Sequence, residues 1–142
     1  MSLRALIATV LLSAAVVSPA FAASKKDAQG YTVELKAKGA YQKGVEGKVE
    51  LVLAPKPGMH VNPDYPAKLK LQDPAPEGIT FPKKILKKDD GKFEEKGATL
   101  DIPFVAAKAG KAKIAGTFQF SVCSDKNCFM EKVDLDLDVD VK

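Results

Sequence analysis

The chain runs to 142 residues with a formal net charge of +4, 46% apolar residues and two cysteines. That is enough for one domain with its own core and too few cysteines for a disulfide scaffold, and no stretch beyond the leader is apolar enough to span a bilayer. Arg4 is the only arginine, and the 21 lysines are interspersed with 18 acids, which argues against a nucleic-acid site, where arginine forks and a clustered basic face are expected.

Residues 1–22 read as a cleavable signal peptide. Arg4 supplies the positive charge, an apolar run follows from Ala5 to Val17, Ser18-Pro19 breaks it, and Ala20-Phe21-Ala22 is a small-x-small cleavage site. Export to the periplasm is therefore expected, without an anchor in the mature chain of 120 residues. Residues 23–30 are small and polar and are expected to lie free as a flexible segment, ahead of a single domain over 31–142.

From Tyr31 the period is two. Tyr31, Val33 and Leu35 alternate with polar neighbours; so do Val49, Leu51 and Leu53; Leu69 and Leu71; Leu100, Ile102 and Phe104; and Ile114, Phe118, Phe120 and Val122. The last run sets Val133, Leu135, Leu137, Val139 and Val141 on one face and Asp134, Asp136, Asp138 and Asp140 on the other. Strict alternation of this kind makes antiparallel strands that cover a core on one side. Glycine- and proline-rich separators, such as Pro55-Lys-Pro-Gly58 and Pro74-Ala-Pro-Glu-Gly78, supply the turns. The nearest approach to a helix is the short Pro82–Lys88. The expected fold is all-β: an immunoglobulin-like antiparallel sandwich of about seven to nine strands, with a small barrel as the competing architecture.

Cys123 and Cys128 flank Ser124–Asn127, a polar tetrapeptide between two strand runs. The sulfurs then sit at the mouth of a hairpin, where cross-strand positions are close enough to bridge. An even pair in an exported protein normally oxidises. The bond is either a structural staple, removing only about 2 kcal/mol of unfolded-state entropy for so short a loop, or an accessible, exchangeable redox pair. Composition leaves both open.

Three stretches carry a resemblance: Gly58-Met-His-Val-Asn-Pro-Asp-Tyr-Pro66, Pro76-Glu-Gly-Ile-Thr-Phe-Pro82, and Phe118-Gln-Phe-Ser-Val-Cys-Ser-Asp-Lys-Asn-Cys128. Together they resemble the N-terminal periplasmic domain of the thiol:disulfide interchange protein DsbD, over most of the chain from Tyr31 onward. The resemblance implies an immunoglobulin-like fold and a redox role for Cys123 and Cys128. Electrons would come from a thioredoxin-like or membrane donor, acting in trans, and pass to oxidised exported clients. It also implies a loop with an aromatic residue capping the pair, for which Asp89–Lys96 with Phe93 is the candidate, the alternative being that Phe93 plugs the end of the sandwich core.

His60 and Tyr65 lie in the first of these stretches and are candidate auxiliary residues, His60 as a proton acceptor for a thiol. Met59, His60, Cys123, Cys128 and Met130 also form a soft-ligand set suited to Cu(I) should they converge, although no metal motif or cofactor is expected from spacing alone. The Asp134–Asp140 ladder reads as the wet face of a strand rather than a calcium loop. No serine–histidine–acid or phosphate-loop motif is present in the sequence. The leading function is thiol–disulfide exchange; a non-catalytic binding sandwich with a structural disulfide comes second and a Cu(I) carrier third.

Overall fold

The computed structural model describes residues 21–142. The expected signal peptide therefore lies outside the described residues apart from Phe21 and Ala22. In chain order the strands are β1 (Ala23–Asp27), β2 (Tyr31–Ala37), β3 (Gly47–Pro55), β4 (His60–Val61), β5 (Lys68–Leu71), β6 (Ile79–Thr80), β7 (Ile85–Lys87), β8 (Gly91–Glu94), β9 (Gly97–Ala106), β10 (Gly110–Cys123) and β11 (Cys128–Val141). They form two antiparallel sheets packed as a sandwich. One runs β1-β2-β3-β9-β6 with β8 also on β9, and the other runs β11-β10-β5-β7 with β4 also on β10.

The alternating runs become the long strands because each can bury one row of side chains while its backbone pairs on both sides. Phe104, Phe118 and Phe120 are among the largest fully buried side chains. Phe118 stacks on Phe120 with ring centroids 4.7 Å apart, and Tyr31 from the opposite sheet meets Phe120 edge-on at 4.8 Å. This contact fixes which face of β10 is inward. Ile114, Phe118, Phe120 and Val122 point between the sheets, so Gln119, Ser121 and Cys123 point the other way. The aspartate ladder of β11 lies on that outer side, where Asp134 accepts from Thr117 at 2.6 Å and Asp136, Asp138 and Asp140 sit beside Lys113 and Lys111.

Two expectations change. Among the described residues there are eleven strands rather than seven to nine. Beyond the six periodic runs the extra ones are β1, the two- and three-residue strands β4, β6 and β7, which the proline-rich turns cut too short to show a period, and β8, which forms inside the Asp89–Lys96 segment expected as a loop. Nor do residues 23–30 lie free as a whole. Ala23–Asp27 pairs with β2 from Ala23↔Lys36 to Asp27↔Thr32, and Asp27 is ion-paired with Lys56. A backbone ladder needs no apolar side chains, so an almost wholly exposed strand such as β1 leaves no hydrophobic signature.

Candidate functional site

Strand β10 ends on Cys123, one position past the inward-facing Val122. The chain then reverses over four residues. Ser124 N–H donates to Asn127 O at 2.7 Å, and Ser124 Oγ accepts from the Asn127 and Lys126 N–H groups at 3.1 and 3.3 Å. A serine that holds the backbone two and three residues on makes a tight polar turn without glycine. The turn returns Cys128 directly opposite Cys123, with Cα atoms 3.9 Å apart and the sulfurs bonded. The two halves of the bond differ sharply in access: Cys123 is 3% exposed, whereas Cys128 is exposed.

Strand β4 approaches β10 from the other side. Asn62 N–H donates to Ser121 O at 2.9 Å, and the register continues as Val61↔Val122 and His60↔Cys123. On its far side β4 is held by the β8–β9 hairpin, whose Glu95 O accepts from Val61 N–H at 2.9 Å. Residues directly opposite one another share a face. His60, Cys123 and Cys128 therefore form one row across three neighbouring strands, each step bringing Cβ atoms to about 4.5–5.5 Å. Linear distance hid this: His60 precedes Cys123 by more than sixty residues. Ser121 stands two residues earlier on the same face, 1% exposed, and its Oγ lacks a hydrogen-bond partner among the described residues.

On the core side of the hairpin mouth lies an open cleft of about 470 Å³. Gly30, Tyr31, Met59, Val122, Phe129 and Glu131 are among its walls. A side chain at residue 30 would crowd it, since a Cβ there would sit 3.0 Å from Met59 Cε. Tyr31 donates its phenol proton to Glu131 Oε2 at 3.2 Å. Burial first, and then the Glu131 carboxylate, push the Tyr31 phenol up to about 12. Phe129 and Met130 follow Cys128 and are 45% and 78% exposed, one on each face of β11. Phe129 therefore borders the cleft on the core side of the hairpin mouth, and Met130 stands on the outer face beside the row of Cys128.

The other two candidates lie elsewhere. Phe93 is half-buried on β8, opposite Ala98, and its ring packs against Phe118 at 6.4 Å. Phe118 is five positions from Cys123 on β10, roughly 17 Å along the strand, and faces the other side. The ring thus helps fill the sandwich interior, and what its hairpin brings to the site is the Glu95 carbonyl that braces β4. Tyr65 follows β4 in the loop to β5 and lines an open groove with Lys68, Lys87, Lys88 and Gln119, on the outer side of the second sheet.

No family model matches the chain, and neither does any curated protein.

Proposed function

We propose that this chain is a thiol–disulfide exchange domain, similar in role to the N-terminal domain of DsbD and acting in the periplasm after signal-peptide removal. The supporting observation is the asymmetry of the bond: an exposed Cys128 sulfur bonded to a buried Cys123. A bond spanning five positions constrains the unfolded chain by only about 2 kcal/mol, little beside a core of this size. Accessibility is what exchange requires.

A donor thiolate attacks Cys128 Sγ in line with the bond. The donor–Cys128 disulfide forms, the Cys123–Cys128 bond breaks, and Cys123 leaves as a thiolate that takes a proton from solvent or from His60. The donor's second thiolate then attacks its own sulfur in the mixed disulfide and frees Cys128. Two electrons and two protons have moved to this chain and the donor is left oxidised. Delivery to an oxidised client runs the same steps in reverse, with Cys128 as nucleophile and Cys123 resolving the intermediate. Phe129, Met130 and the Tyr31–Glu131 cleft supply an apolar and partly polar surface for either partner. Among the described residues no helix is long and apolar enough to cross a membrane.

The test uses oxidised protein and reduced thioredoxin. After acid quenching and alkylation, mass should show two alkyl groups gained here and two lost from thioredoxin. The Cys123→Ser variant, activated at Cys128 as the mixed disulfide with thionitrobenzoate, should instead trap a thioredoxin that lacks its resolving cysteine and release the thionitrobenzoate anion, and Cys128→Ser activated in the same way at Cys123 should trap far less. Absence of thiol transfer would contradict the proposal and leave a binding module with a structural bond.

A further inference from the structure

The row His60–Cys123–Cys128 changes character when the bond opens. In the oxidised form both sulfurs are spent on each other. Among the described residues no three His, Cys, Asp or Glu side chains then form a group able to hold a metal ion. Reduction releases two thiols from directly opposed positions on β10 and β11, with the imidazole of His60 on the third strand of the same row. Met130 lies two residues past Cys128 on that face, and its thioether is 78% exposed.

We propose that the reduced pair, together with His60, is a redox-gated site for Cu(I). The ligand chemistry selects the ion. Thiolate and thioether are soft donors that suit Cu(I), and imidazole accepts copper as well. Zinc on the same three side chains would have to complete its tetrahedron with water, whereas the softer Cu(I) can use the exposed thioether of Met130. The surroundings fit. Cys123 is buried and excludes water from one side of the ion, while Cys128 leaves the other side open for transfer. The unpartnered Oγ of Ser121, on the same face, is a hydroxyl donor available to a metal-bound thiolate. Binding replaces the two thiol protons, so it strengthens as pH rises. Gating is set by the bond itself: oxidation removes both sulfur ligands at once, and a bound ion shields both from exchange.

This inference does not depend on any exchange partner, and its test reads metal alone. The protein is reduced, freed of reductant without oxygen, and titrated with Cu(I) against bathocuproine disulfonate. One Cu(I) per reduced chain is expected, with no competition from the oxidised protein. His60→Ala should weaken binding by roughly tenfold or more, at least the cost of losing an outer-shell partner, and should remove the nitrogen scatterer from the copper X-ray absorption spectrum. His60→Asn, which keeps a polar side chain on β4, should behave likewise and guards against a folding defect in the first variant. Unchanged affinity and spectrum in both variants would overturn the proposal, since a bare dithiol would then account for binding. Copper binding by the oxidised protein, or equal affinity of the reduced protein for Zn²⁺, would overturn it as well.

Discussion

His60 and Cys123 sit directly opposite each other on β4 and β10, and Cys123 is at the same time directly opposite Cys128 on β11. The leaving sulfur of the proposed exchange is thus the one with an imidazole beside it. A neighbouring protonated imidazole favours the thiolate, and a better leaving thiolate departs faster. His60→Ala should slow reduction of the oxidised protein by dithiothreitol near neutral pH, because a poorer leaving thiolate departs more slowly. Stopped-flow mixing gives the rate; a variant as fast as the native protein would separate His60 from exchange.

Phe93 makes a contrasting pair with His60. Its ring is packed against Phe118 inside the sandwich. Phe93→Ala should cost roughly 1–1.5 kcal/mol in urea unfolding, about half the value of fully burying a large apolar side chain, because the ring is half-buried. The same variant should leave the rate of reduction by dithiothreitol unchanged. Faster reduction with little loss of stability would return the ring to a capping role over the cysteines.

The core face of the hairpin mouth makes a prediction in pH. Folding raises the Tyr31 phenol from 10.0 to about 12, through burial and then the Glu131 carboxylate. The folded state therefore holds this proton more tightly than the unfolded chain. The resulting stability is complete below pH 10 and is lost as pH rises from there through about 12. Urea midpoints for the native protein should fall more steeply across that window than those of Tyr31→Phe, which keeps the ring on Phe120 and lacks the proton. Parallel profiles would mean that the phenol ionises freely in the folded state.

Much of the fold was legible in the sequence because period two survives in every long strand. The runs at Tyr31, Val49, Leu100, Ile114 and Val133 are the cores of β2, β3, β9, β10 and β11, and the aspartates alternating with Val133–Val141 do face water. The hairpin mouth was legible too, since a polar tetrapeptide between two strands fixes Cys123 opposite Cys128. What surrounds the pair was not. Two residues of β4 carry no readable period, so the partner of His60 is settled by β4–β10 pairing, which local sequence does not encode. Phe93 misleads for a related reason. Its polar neighbours describe the exposed edge of β8, while the ring itself points to a core built by strands distant in sequence.

The reduction potential of the Cys123–Cys128 bond tests the exchange reading most directly. The oxidised protein is equilibrated with graded mixtures of reduced and oxidised glutathione, quenched in acid, alkylated and weighed. An accessible exchange pair should titrate within the glutathione range, above about −300 mV, where inert structural bonds of secreted proteins do not. A bond that stays oxidised across the whole series would contradict the account.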